Sequence, residues 1–452
     1  MVKNMTYDEI ILRMILLVRD GKRKEFRDLI DELQPYDMAS IFKEMPEKHY
    51  SRFLSFLTVE DITDMIQELE QEYQLVVFNK VGKDKGIQIV NKMDNDDLVQ
   101  LLEEVDPELK KQFLSSMEDE ESKAVQTLMN YPPETAGRIM TNRFVWINKH
   151  YTVMDAVTKL KSFAELAESI NYLYVINDKK QLVGVVSYRD LILGEATDTI
   201  ADLMYERVIS IHAKEDQEEV AKLIERYDFL AIPVVEEDNV LVGIVTVDDV
   251  IDIVIQEANE DYEKFAASGK SIDFDTKAFV ASYRRLPWLI LLLFIGLISG
   301  SIISVFEETL NKVVALAFFM PMIAGMTGNT GTQSLAVVVR GLIQNDLDKK
   351  VVTKLILREL SVGLMIGVIC GILITLIALF WQGNPLLGLV VGSSLLLTLI
   401  IGTMAGTVIP LILHKLNIDP AIASGPLITT VNDILSLLIY FGIATAFLNQ
   451  LL

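Results

Sequence analysis

The feature that most limits how this chain can fold is a set of long uncharged stretches in its last third. Residues 286–306 are 21 uncharged side chains in succession and residues 313–339 are 27 more. Residues 360–413 are another 54, interrupted by the polar run Trp381-Gln382-Gly383-Asn384-Pro385. From 420 to 452 the single charged residue is Asp433. About 20 apolar residues cross a bilayer core as a helix, and buried soluble helices rarely run to such lengths. The pattern predicts five membrane spans, near 286–307, 313–339, 355–381, 386–413 and 420–449.

Charge gives the orientation. Arg340, Lys349, Lys350, Lys354 and Arg358 follow the second span and Lys415 follows the fourth, while the opposite loops offer Lys312 beside Glu307 and Glu308. Basic loops stay on the cytoplasmic side, so the N-terminal region is expected in the cytoplasm and the C-terminus outside. The start, MVKNMTYDEI, lacks a basic-then-apolar leader and agrees. From Arg284 onward there are nine basic and seven acidic residues, so the first 283 residues hold 32 basic and 56 acidic ones, or −24 of the total −22. So acidic a region repels a phosphate backbone, and nucleic-acid binding is not expected. One cysteine, Cys370, excludes an internal disulfide framework and a multi-thiolate metal site. His49, His150, His212 and His414 show no ligand spacing.

Two places in the membrane half carry more than hydrophobicity. Pro321, Gly325, Gly328, Gly331 and the polar side chains of 327–333 interrupt the second span. They are expected to loosen its helix and line a water-filled cavity; small residues at three-residue spacing also suit a helix–helix seam. Asp433 is the second place. A carboxylate near mid-membrane costs about 2.5–3.5 kcal/mol on insertion scales, so it calls for a partner or a function. Gly425, Thr429, Asn432, Ser436 and Tyr440 form a polar or small stripe with it, and no arginine or lysine within a span is there to pair with it. A permeating cation would fill that role; a protonated, hydrogen-bonded aspartate is the other reading.

The cytoplasmic half reads as two repeats. Residues 37–45 (DMASIFKEM), 61–69 (DITDMIQEL) and 97–105 (DLVQLLEEV) share one amphipathic pattern in which the leading aspartate suits a helix N-cap. Such units stack into an all-α superhelical lobe. Tyr131-Pro132-Pro133 bounds it, giving 1–131. A second repeat follows at 182–191 (LVGVVSYRDL) and 241–250 (LVGIVTVDDV), each after an apolar strand, 172–177 and 231–235. Its glycine, apolar pair, Ser/Thr and Asp resemble the signature of tandem α/β cystathionine-β-synthase-type (CBS) domains, expected over 132–200 and 201–261. Ser187 and Thr246 with their aspartates either hold a nucleotide, as the resemblance implies, or cap the following helix. Asp248, Asp249, Asp252, Glu257, Glu260 and Asp261 then cluster at helical spacing. They suit Mg2+, which prefers carboxylate oxygens and water; a solvated acidic face is the plainer alternative. An amphipathic connector, 262–283, leads into the membrane domain, 284–452.

Acidic helical lobe, CBS pair, connector and five-helix membrane domain together resemble the MgtE family of bacterial magnesium channels and transporters over nearly the whole chain. The specific match lies in Gly328-Asn-Thr-Gly-Thr-Gln333 and in Asp419-Pro-Ala-Ile-Ala-Ser-Gly-Pro426 leading to Asp433. Met326-Thr327, Gly425 and Thr429 depart from the commoner pattern. The resemblance implies a homodimer with one pore on its axis, where Asp433 of each subunit holds a largely hydrated Mg2+. Oxygens around Gly325, Gly328, Asn329 and Thr429 would complete that site, and 262–283 would be a plug helix. Regulatory Mg2+ would bind among Glu60, Asp96, Asp216, Asp228, Asp249, Asp252, Glu257, Glu260 and Asp261. ATP is the candidate nucleotide, at Ser187, Arg189, Asp190, Phe229, Thr246 and Asp249. The expected function is Mg2+ import across the cytoplasmic membrane, gated by cytoplasmic Mg2+ and without enzymatic activity. Its rivals are a nucleotide-regulated carrier using Asp433 as a proton relay, a Co2+ or Mn2+ transporter, and a membrane-anchored scaffold or enzyme.

Overall fold

The structure, a computed structural model, describes residues 5–163, 167, 169–267, 272, 276–344, 349–416 and 418–451. The chain divides into two compact units, Met1–Val254 and Ile255–Leu452.

The first unit opens with ten α-helices, from Tyr7–Asp20 to Asp119–Met129, among the described residues. Each repeat expected from sequence is a helix: Pro35–Glu44, Val59–Gln67 and Asn95–Glu104. The aspartates do not occupy the N-cap, however. Thr58 caps Val59–Gln67, and Asp61 is the third helical residue, its carboxylate accepting from the Thr58 N–H at 2.8 Å while its own N–H donates to the Thr58 hydroxyl at 3.1 Å. This reciprocal capping box satisfies two orphan donors where a simple cap satisfies one. Asp37 stands in the same place after Gln34. Helices pack on their second neighbours, Pro35–Glu44 on Val59–Gln67 and Val59–Gln67 on Lys83–Val90, as stacked helical repeats do. Phe26, fully buried, meets Phe53 and Phe56 edge-on at 5.6 and 5.2 Å, and such pairs add about 0.5–1.5 kcal/mol each beyond area burial.

Two three-stranded sheets follow. In the first, β1 (Phe144–Asn148) runs parallel to β2 (Ser169–Ile176), which pairs antiparallel with β3 (Leu182–Ser187). In the second, β4 (Ile211–His212), β5 (Ala231–Val235) and β6 (Leu241–Thr246) repeat that order. The two halves exchange their lead-in segments. Thr141 exchanges backbone bonds with Ile244 of β6 at 2.8 and 3.0 Å, and Tyr205 pairs with Val185 of β3 at 2.9 and 3.1 Å. The repeated glycine makes this exchange possible: a Cβ on Gly243 would lie 2.5 Å from Met140 Sδ, and one on Gly184 would lie 2.5 Å from Met204 Sδ. Each sheet thus leaves one side-chain vacancy that a methionine from the other half's approach fills.

Six long helices form the remainder: α1 (Val247–Phe265), α2 (Ala278–Val305), α3 (Leu316–Gln344), α4 (Lys349–Gln382), α5 (Pro385–Lys415) and α6 (Gly425–Ala446). Four of them, α2, α4, α5 and α6, are long and apolar enough to cross a membrane. The five spans expected from sequence therefore reduce to four on this criterion, because the polar run 327–333 dilutes the apolar character of α3. The connector expected over 262–283 is also not one helix. Residues 262–265 end α1, Ala267 adopts a left-handed φ of 56° that stops it, and α2 starts afresh at Ala278.

The expected break in the second span does not occur, and α3 is continuous across Pro321 and the glycines. Its hydroxyls turn back on their own helix, Thr327 onto Ile323 O at 2.7 Å and Thr330 onto Met326 O at 2.9 Å. The polar side chains are thereby satisfied without unwinding the backbone. Small residues bring the helices together. A Cβ on Gly367 would lie 2.9 Å from Leu396 O and one on Gly371 2.8 Å from Gly392 O, so α4 and α5 touch backbone to backbone.

Candidate functional site

Asp433 lies in the third turn of α6, whose first turn is capped by the Ser424 hydroxyl. The polar stripe predicted around it is the face that α6 turns to its neighbours: Gly425, Asn432, Ser436 and Tyr440 are buried, and Asp433 is half-buried at the rim. The Tyr440 hydroxyl donates to Leu316 O at 2.8 Å, and Asn432 Nδ2 donates to Thr327 O at 3.3 Å, tying α6 to α3 at two heights. The Asp433 carboxylate makes no hydrogen bond or ion pair among the described residues.

The glycines of α3 divide by direction. A Cβ on Gly328 would lie 2.8 Å from Thr429 Cγ2, and one on Gly331 would collide with the Asn432 side chain and lie 3.1 Å from Gly402 O. These two belong to the packing seam with α5 and α6. Gly325 has nothing within 4 Å, and Asn329 and Gln333 are exposed with it on the opposite face. The seam posed by the sequence is thus one face of α3, and the polar residues expected to line a cavity lie on another, exposed face. Gly328 and Thr429 come together; Gly325 and Asn329 stay on the open side of the protomer.

The regulatory residues predicted from sequence do not converge. Among the described residues no three His, Cys, Asp or Glu side chains gather where they could hold a metal. Glu60 pairs with Lys92. Asp216 caps Gln217–Tyr227, accepting from the Glu218 N–H at 2.8 Å, and Asp228 closes that helix with φ 54°. Asp96 is buried in the helical lobe. Its neighbour Asp97, which the sequence offered as a helix cap and not as a regulatory ligand, is the one whose electrostatics stand out: burial first, then Asp94 and Asp252, push its carboxyl up to about 6. Gln67 Nε2 donates to both Asp94 and Asp97, at 2.8 and 2.7 Å. The signal for Asp97 was the third helical position of the repeat, which turns it inward.

Glu257 and Glu260 lie on α1. Glu260 pairs with Lys264 at 2.5 Å, and Lys264 reaches Asp419 at 2.7 Å, just before α6. Burial, then the Asp419 charge, raises the Asp261 carboxyl above its usual range. In the CBS pair, Ser187 and Asp190 form a capping box, with the hydroxyl 2.6 Å from the carboxylate, and Thr246 bonds Asp249 in the same way. Arg189 is exposed, and Phe229 stacks on Tyr227 at 5.4 Å.

Comparison with known proteins follows the same divisions. A model described as divalent cation transporter matches residues 320–443, one for the MgtE intracellular N domain matches 22–134, and CBS-domain models match 136–194 and 200–256. The chain is 74% identical over 451 residues to the magnesium transporter MgtE of Bacillus subtilis (strain 168), covering 100% of both. It resembles the crystal structure of the soluble part of a magnesium transporter at 36% identity and TM-score 0.53, covering 56% of this chain and 100% of that one. It also resembles the cytosolic domain of the Mg2+ channel MgtE in complex with ATP, at 30% identity and TM-score 0.52, covering 54% of this chain and 99% of that one.

Proposed function

The chain belongs to the MgtE family, and from that premise we propose that it carries Mg2+ across the cytoplasmic membrane along a path controlled by Asp433. The observation that carries the reading is a half-buried, unpartnered carboxylate on an apolar helix, beside an α3 whose exposed face is polar. An ionisable group at such depth marks an ion pathway by default. Mg2+ dehydrates reluctantly, so the carboxylate would meet its water shell, and Gly325, Gly328, Asn329 and Thr429 would supply further oxygens. In this reading α3 is the fifth span, lowered in apolarity because one face lines water.

A homodimer is the natural assembly. No residue in the apolar window of α2 is buried, and Gly296 and Gly300 have nothing within 4 Å, so the face of α2 turned away from α6 is open to a neighbour from a second copy. A second copy doubles the −24 of the cytoplasmic region, and that self-repulsion opposes a compact state. Asp94 and Asp252 add their charge to the buried Asp97 carboxyl, so this is a place where a dissolved cation would ease repulsion. Asp249, Glu257, Glu260 and Asp261 continue the acidic character along the sequence of α1. Mg2+ closes the pathway in this account by binding the compact state better than the loose one. A nucleotide such as ATP would meet Arg189 and Phe229 directly, since Ser187, Asp190, Thr246 and Asp249 are engaged in helix capping. The test is Mg2+ uptake by liposomes holding the purified chain, with Mg2+ titrated on each side. Uptake suppressed by cytoplasmic-side Mg2+ is expected; wild-type liposomes as tight to Mg2+ as empty ones would end the reading.

A further inference from the structure

The membrane unit holds a second acid that this pathway does not use. Glu359, inside α4, is 5% exposed. Its Oε2 accepts from the Ser334 hydroxyl of α3 at 2.9 Å, and its Oε1 accepts from Arg358 Nε at 3.1 Å and Nη2 at 2.9 Å. Arg358 thus lies within a span helix, contrary to expectation, and is committed to its neighbour. The Arg358 side chain is more than half exposed while the Glu359 carboxylate stays in.

Ser334 directly follows the polar run of α3 and is itself buried. Three residues earlier, Gly331 is wedged against Asn432 of α6 and Gly402 of α5. The same stretch of helix is therefore gripped from two sides, by a seam at 331 and by a directional hydrogen bond at 334. The third side carries Gly325, Asn329 and Gln333, the exposed polar face. Packing alone fixes the separation of two helices well and their rotation poorly, because small residues interdigitate at several angles. A charged acceptor aimed at one hydroxyl fixes rotation. Burying the Glu359 carboxylate costs desolvation that its hydrogen bonds must offset, and the bond from Ser334 adds a direction that apolar packing lacks.

We propose that Glu359 is a positioning residue for ion passage: by accepting from Ser334 it sets the rotation of α3 and so aims Asn329 and Gln333 along the pathway, while Arg358 anchors its other carboxylate oxygen. The proposal rests on α3 lining that pathway.

The experiment compares Mg2+ and Co2+ uptake in liposomes for the full-length wild type, Ser334→Ala, Glu359→Ala, Glu359→Gln and the Ser334→Ala/Glu359→Ala double variant, each first checked for assembly and melting temperature. The expected result has three parts. Both alanine variants lose Mg2+ uptake by roughly tenfold to 100-fold, the scale of a misplaced side chain, and shift the Mg2+/Co2+ ratio alike. The double variant is no worse than either single one. Glu359→Gln, which keeps an acceptor for Ser334, recovers most of the loss. A purely structural role would lower the melting temperature and leave the ion ratio untouched, which would overturn the proposal. So would a Ser334→Ala variant with wild-type uptake and ratio, a result that stands even if Glu359→Ala fails to assemble. A wild type without Mg2+ uptake refutes the transport reading itself and this proposal with it, and the wild-type sample alone distinguishes that case.

Discussion

The units Met1–Val254 and Ile255–Leu452 bury polar groups in opposite ways. In the first, carboxylates are held by cations and capping boxes: Asp61 by Arg27 and Thr58, Asp94 and Glu121 by Arg143 at 3.3 and 2.6 Å. Acid still exceeds base there, and Asp97 is left leaning on Asp94 and Asp252. In the second, hydroxyls bond their own helices and glycines remove the side chains that would keep backbones apart. Its two carboxylates on span helices differ sharply, Glu359 fully engaged and Asp433 without a partner. The contrast teaches where an ion can act. Excess charge beside water is adjustable by dissolved cations, whereas charge inside a membrane must be fixed by the fold or matched by the ion that passes.

The largest expected effect is on the unmatched acid. Asp433→Ala should reduce Mg2+ uptake to background while the protein still elutes as an assembled species; near-normal uptake would erase the distinction between the two intramembrane carboxylates. Next comes the seam. Gly331→Ala forces a Cβ into Asn432 and the Gly402 backbone, and overpacking of this kind costs about 1–3 kcal/mol, seen as a lower melting temperature in detergent. An unchanged melting point would mean the helices are looser than their glycines imply.

A smaller effect is expected in the cytoplasmic unit. Asp97 holds its proton more tightly folded than unfolded, so it weakens the fold fully above pH 6, and the loss is relieved as pH falls through 6 toward the 3.8 of an ordinary aspartate. Asp97→Asn should remove that dependence and stabilise the Mg2+-free lobe by about 1–3 kcal/mol at pH 7.5, measured by hydrogen exchange of its helices. A pH profile identical to wild type would show that Asp97 stays charged at no cost. Least of all, Lys264→Ala breaks the pair with Asp419, both about one-third exposed. Such pairs are worth about 0.2–1 kcal/mol, so the Mg2+ concentration for half-suppression of uptake should move by less than about fivefold. A larger shift would make that contact a dominant gating element.

Much of this was legible beforehand. The apolar runs located α2, α4, α5 and α6 to within several residues, and the repeats located three lobe helices and β3 and β6 with their following turns. The misses have physical causes. Helices α4 and α5 run past their apolar runs into Lys349–Arg358 and Lys415 because backbone hydrogen bonding does not stop where hydrophobicity does. Asp37 and Asp61 read as caps although the capping box shifts them three residues inward. Glycines and threonines of α3 suggested a broken helix, since sequence does not reveal that each hydroxyl would return to its own backbone.

Sequence by itself determined composition-driven facts: which segments prefer lipid, where acid accumulates, which units repeat, and that one carboxylate lies in an apolar run without a nearby cation. Those follow from transfer free energies and periodicity, which are properties of residues in order. Only the tertiary structure decided which face of α3 packs and which stays open, that Met140 and Met204 each fill a gap in the other half's sheet, and that Glu359 meets Ser334 while the Asp433 carboxylate finds no hydrogen bond among the described residues. These depend on distances between residues far apart in the chain. A hydrogen bond or a backbone contact forms over about 3 Å, and no local pattern encodes separation that fine.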